Sequence, residues 1–112
     1  MARTAITIQE LDEIGGQEKI AEQVSTSEMK VLNDGRVGVK IVNGGISDLT
    51  VTVQSVSCSH GRIDNQTITI PNGDTWYAGR WTPRLFNQPL DEGQTYLNFD
   101  KTASITVHGI KI

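Results

Sequence analysis

A chain of 112 residues with ten Lys and Arg against thirteen Asp and Glu is one domain's worth of protein carrying a net charge of -3. That balance argues against a general nucleic-acid binder, which needs a basic face, and the single Cys excludes an intramolecular disulfide. No apolar run approaches the roughly 18 to 20 residues of a spanning helix, and residues 1–10 lack the apolar centre of a secretory signal. The expectation is a soluble protein made in the cytoplasm, with neither membrane nor nucleic acid as partner.

The composition leans towards strand. Val, Ile and Thr supply 33 of the 112 residues, while Leu and Ala supply only six and five. β-Branched side chains favour a pleated, half-buried surface. Eleven Gly punctuate the chain as turn residues.

Charge divides the chain at about residue 30. Residues 1–30 hold three basic and six acidic side chains, so the whole net charge lies there; residues 31–112 hold seven of each. The segment has no aromatic residue and carries Gly15-Gly16 in its middle. Ala5 to Ile8 reads as a short strand. Gln17 to Val24 reads as two turns of helix, with Ile20 and Val24 spaced i, i+4. Residues 1–30 are therefore expected as an acidic N-terminal arm, either solvated or ordered only on a neighbouring subunit.

Residues 31–112 read as a β-sandwich domain. Val37, Val39 and Ile41 alternate with Gly38 and Lys40, Asn43-Gly44-Gly45 signals a turn, and Leu49, Val51 and Val53 alternate again. This pair is predicted to form a hairpin. Residues 57–65 form a polar loop. Ile68 and Ile70 alternate with Thr67 and Thr69, and Pro71-Asn72-Gly73-Asp74 predicts a tight turn because Pro presets φ and Asn-Gly accepts left-handed geometry. A strand over 75–81, a Pro-containing loop over 82–91 and a strand over 94–100 follow. In the last strand Ile105 and Val107 have one parity and Ile110 and Ile112 the other. That break predicts a bulge at His108-Gly109; the alternative is a strand buried on both faces. Seven or eight short antiparallel strands suggest an all-β sandwich or flattened barrel.

Little in the chain points to chemistry. Cys58 and His60 are two metal-ligand types two apart, but a closed site needs about four ligands and the sequence offers only one further His. Asp64, Asp74, Asp91, Glu92 and Asp100 fall at predicted turns, where carboxylates accept backbone N–H bonds. No phosphate-binding, nucleophile-elbow or zinc-protease motif occurs. No enzymatic activity, metal or cofactor is expected. The densest cluster is Trp76, Tyr77, Arg80, Trp81 and Arg84. Strand parity pairs Trp76 with Arg80 and Tyr77 with Trp81, so one pair should pack inside and the other face out. Aromatic residues interleaved with Arg suit a protein interface, a sugar platform or a single-stranded nucleic-acid platform, and the overall acidity argues against the last.

Several stretches resemble small virion proteins of tailed bacteriophages. They are Met1 to Thr7, Val42-Asn43-Gly44-Gly45 followed by Leu49 to Val53, Ile70 to Asp74, Phe86-Asn87-Gln88, Tyr96 to Asp100, and the apolar stretch Ile105 to Ile112. The likeness is to capsid decoration (cement) or auxiliary head proteins and spans nearly the whole chain. The acidic segment 9–28 departs from the Ala/Thr-rich stretch of such proteins. The resemblance implies a structural role on the virion surface, with the major capsid protein as partner and a homo-oligomer, a trimer above all, as the working form. It implies Ile6, Ile8, Leu11 and Ile14 of the arm, together with the Trp76–Phe86 stretch, as contact surfaces. A tail or head-tail connector component and a glycan-binding β-sandwich module are the alternatives.

Overall fold

Period-two burial generates the fold. The computed structural model describes residues 3–11, 16–18, 22–56, 65–79 and 81–111. Its elements in chain order begin with β1 (Thr4–Ala5), β2 (Ile8–Glu10), β3 (Gln23–Val24) and β4 (Glu28–Leu32). Next come β5 (Val37–Asn43), β6 (Leu49–Val53), β7 (Gln66–Ile70) and β8 (Thr75–Gly79). A one-turn helix α1 (Pro83–Phe86), β9 (Asn87–Gln88), β10 (Gln94–Phe99) and β11 (Ile105–Lys111) complete the order.

The strands form two packed sheets, as an all-β sandwich requires. One has the order β1-β4-β10-β6-β7, with β9 also on β10; the other has β2-β11-β5-β8, with β3 also on β11. Alternate residues point inward from both sheets. Met29 and Val31 from β4, Val37, Val39 and Ile41 from β5, and Leu49, Val51 and Val53 from β6 meet Leu97, Phe99, Ile105 and Val107. Each fully buried aliphatic side chain contributes about 1.5–3 kcal/mol relative to exposure. No helix among the described residues is long and apolar enough to cross a membrane.

Four expectations need correction. The first concerns β5 and β6, which are strands but do not pair. β5 lies in one sheet beside β11 and β8, and β6 lies in the other between β10 and β7. Residues 44–48 therefore form an arch across the core, not a hairpin loop. Buried Asn43 holds that arch. Its amide Nδ2 donates to the carbonyls of Ser47 (3.0 Å) and Ile70 (2.9 Å), and its Oδ1 accepts the Gly45 N–H (3.1 Å). Asn43 thereby joins the two sheets. The Pro71–Asp74 turn forms as expected, with Gly73 at φ 83° and the Asp74 N–H on the Pro71 carbonyl, and it too crosses between sheets.

The second correction concerns the arm. The described part of residues 1–30 belongs to the fold. β1 runs parallel to β4 in one sheet, and β2 runs parallel to β11 in the other. Between them Ile6 enters the core. At the crossing, the Gln23 side chain stands in for a strand: its Nε2 donates to the Ala5 carbonyl and its Oε1 accepts the Thr7 N–H. The boundary at residue 30 also fails, because β4 spans it with Met29 and Val31 both buried.

Third, Gln17–Val24 is not a helix where it is described: Gln17 and Glu18 are irregular, and Gln23–Val24 is strand. Fourth, β11 holds one register against β5 from Ile105↔Asn43 to Lys111↔Val37, without a bulge. Gly109 occupies an inward position instead. A Cβ there would stand 2.8 Å from the Thr7 carbonyl and 3.1 Å from Ile6 Cγ2. The parity break marks where the N-terminal segment replaces a side chain of β11, and His108 on the other face is buried as well.

Candidate interaction surface

β8 is an edge strand, and the aromatic pair it carries is exposed. It pairs with β5 in the register Thr75↔Val42, Trp76↔Ile41, Tyr77↔Lys40, Ala78↔Val39 and Gly38↔Gly79. Trp76 therefore shares the inward face of Ile41, yet remains 41% exposed because no strand lies beyond β8 among the described residues. Tyr77 points to the opposite, outer face and is 71% exposed.

The backbone pattern continues from the turn. The Asn43 N–H donates to the Asp74 carbonyl at 3.0 Å. Antiparallel hydrogen bonding alternates, so Trp76 and Ala78 direct their N–H and C=O groups at β5. Those of Thr75, Tyr77 and Gly79 face away from it.

Strand parity does not extend to Trp81. Gly79 has φ 150°, and a Cβ there would lie 2.2 Å from the Gly38 Cα. Two glycines meet because nothing larger fits. After this distortion Trp81 turns into the core, 3% exposed, with its indole N–H donating to Gln66 Oε1 at 2.9 Å. Trp81 is thus a core residue and not an interface residue. Its own carbonyl accepts Asn33 Nδ2, which opens a buried polar chain. Asn33 Nδ2 also donates to Asn87 Oδ1, Asn87 Nδ2 donates to the Asn33 carbonyl, and Thr95 Oγ1 donates to Asn87 Oδ1. This network anchors the stretch that carries α1. There Phe86 packs against the core, while Arg84 and Leu85 remain on the surface.

On the outer face, Tyr77 stands between two shallow hollows. One, of about 240 Å³, is bounded by Arg36, Gly38, Gly79 and Ile110; it exists because Gly38 and Gly79 contribute no side chain. The other, of about 230 Å³, is bounded by Leu11, Gln17, Lys40, His108 and Ile110. Leu11 and Tyr77, far apart in sequence, therefore meet on one face around Ile110. There Lys40 is ion-paired, its Nζ 2.7 Å from Glu22 Oε1, and His108 Nε2 lies in hydrogen-bond contact with Gln9 Oε1 at 3.0 Å. Of the remaining candidates, Ile6 is in the core and Ile8 packs partly against it. Ile14 and Arg80 lie outside the described residues, as do Cys58 and His60.

Other sites on the surface are structural latches. The Arg3 guanidinium lies 4.0 Å over the Tyr96 ring and donates to Asn98 Oδ1, tying the N-terminal segment to β10. The Tyr96 hydroxyl donates to Asp91 Oδ2 at 2.8 Å, and Lys30 Nζ is 3.3 Å from the same carboxylate. Those contacts, the Tyr96 bond foremost, hold the Asp91 carboxyl below its ordinary range and push the Tyr96 phenol up. Lys111 bridges Asp34 (2.8 Å) and Glu10 (3.5 Å), which lowers the Asp34 carboxyl and raises the Lys111 ammonium. Among the described residues no three His, Cys, Asp or Glu gather to hold a metal ion.

Ile46 was not singled out by sequence reasoning. It is 98% exposed at the tip of the 44–48 arch. The available signal was an apolar side chain inside a Gly-Gly/Ser-Asp turn, where packing gives it no place. Comparisons of the chain with protein families, with characterised proteins and with solved structures found no match.

Proposed function

We propose that the protein is a structural component of a tailed-phage virion, which binds the outside of the capsid as a homo-oligomer and braces contacts between major capsid subunits. The sequence resemblance motivates this reading. The observation that carries it is the uncharged β8 edge, with Trp76 and Tyr77 exposed on its two faces. Exposed aromatic side chains beside strand groups that have no partner strand among the described residues suit attachment to another protein. The reading assigns no catalytic residue and no cofactor. Its contact surface is now Leu11, Trp76 and Tyr77, with Ile6 and Trp81 withdrawn to the core.

A glycan-binding role has less support. A sugar platform needs neighbouring rings on one face, and consecutive strand residues point to opposite faces. A tail or connector component uses the same surface and differs in symmetry. The test is co-sedimentation of the purified protein with heads and, separately, tails of the phage that encodes it, followed by electron microscopy. Saturable density on the outer head surface is expected. Binding to tails alone, or to neither, overturns the proposal.

A further inference from the structure

We infer that β8 pairs with the β8 of a second copy, antiparallel and about a two-fold axis at Tyr77, to give one continuous sheet through both molecules. The pairing rests on the β8 edge used by the proposed function and specifies the contact within its homo-oligomer.

Three observations select this occupant. First, Thr75, Tyr77 and Gly79 direct their backbone groups away from β5, as the Asn43–Asp74 hydrogen bond requires. Two such edges pair in full in a single register: Tyr77 opposite Tyr77 of the second copy, and Thr75 opposite Gly79 at either end. The central pair then exchanges two N–H···O bonds. Second, this register sets Trp76 opposite Ala78 on the inward face, twice. A large side chain exposed at the edge meets a small one, so both copies cover a Trp that is 41% exposed alone. On the outer face the ring of each Tyr77 reaches diagonally over the other copy's Gly79, towards the hollow left by Gly38 and Gly79. Aromatic rings across a strand from glycine restore the packing that glycine lacks.

Third, β8 contains no charged residue, so a two-fold axis opposes no like charges along it. The neighbouring outer-face cation, Lys40, is already ion-paired with Glu22. The other long edge open among the described residues, β7 (Gln66–Ile70), has its inward Ile70 buried and exposes no aromatic residue. It offers hydrogen bonds without the matching side chains.

The test uses the full chain. Sedimentation velocity and light scattering at micromolar concentration are expected to give twice the 12.3 kDa chain mass. Tyr77→Lys places like charges opposite each other and removes the ring contacts. Dimerisation should weaken by about tenfold or more, with an unchanged far-ultraviolet circular dichroism spectrum. Register is read by disulfide trapping in a Cys58→Ser background. Tyr77→Cys should cross-link, because facing Cα atoms in a hydrogen-bonded antiparallel pair stand about 5.5 Å apart. Thr75→Cys should not, because its two-fold mate is offset by about 13 Å along the strand. A monomer at every concentration, a trimer, or cross-linking through Thr75→Cys with none through Tyr77→Cys overturns the inference. A monomer or trimer that still coats capsids would overturn this pairing alone and leave the capsid reading standing.

Discussion

The sheet that contains β11 and β8 is finished differently at its two ends. Beside β11 stand β2 and β3, three and two residues long. They are accompanied by Glu10 and Glu22, which pair with Lys111 and Lys40. Short, charged edge strands discourage further pairing. Beside β8 no strand stands among the described residues, and its five residues carry neither charge nor Pro. The contrast teaches that the acidic N-terminal segment is the closure of one flank. The edge this sheet leaves open for strand pairing is the other flank, and the two edges can be perturbed separately.

The most damaging change lies at the root of the open flank. Gly79→Val would drive a side chain into the Gly38 backbone at a φ that Val does not tolerate. We expect a loss of more than about 4 kcal/mol, visible as an unfolded circular dichroism spectrum. On the closed flank, Ile6→Ala should cost about 2–4 kcal/mol in urea denaturation. Removing residues 3–11 should cost more, because β1, β2 and the Ile6 contact go together. A truncated protein as stable as the full chain would refute the closure role.

The join between the flanks is next in size. Asn43→Ala leaves the Ile70 carbonyl and Gly45 N–H without their partner and should cost about 1–3 kcal/mol. Acid and alkali act more weakly, since Asp34 is exposed and Asp91 and Lys111 are only half-buried. Asp34 and Asp91 have folded-state values below the usual 3.8, so their contribution is present above that value and lost as pH falls through the lowered one. Lys111 is raised above 10.5, so its contribution is present below that value and lost as pH rises through the raised one. A melting temperature flat between about pH 5 and 9 and declining on both sides is expected. The smallest stability effect belongs to Tyr77→Ser. In dilute solution its unfolding free energy should stay within about 0.5 kcal/mol of the parent, and a large drop would show that Tyr77 supports the monomer.

Strands were legible wherever one face alternates apolar with polar, as in Val37–Asn43, Leu49–Val53 and Gln94–Phe99. Partnership was not. Val39 and Val51 carry the same alternation whether their strands pair or face each other across a core, and only the buried Asn43 distinguishes an arch from a hairpin. Met29 and Val31 went unread as core because acidic neighbours dominate their segment. The aromatic stretch was found, but its parity argument failed at Gly79, where two glycines in contact let the chain turn Trp81 inward. Leu11 and Tyr77 were each named without any sign that they share a face, because that depends on how β2 joins β11.

Parallel pairing of Ile8–Glu10 with Gly109–Lys111 also sets the earliest moment at which this flank can close. During synthesis β2 emerges early and β11 late. Ile6 thus cannot reach its seat over Gly109 until roughly a hundred further residues have been made. Contacts this distant along the chain slow folding, since the intervening loop must close before they stabilise anything. Until β11 emerges, the nascent chain can pair β1 with β4 but must leave β2 without its partner strand.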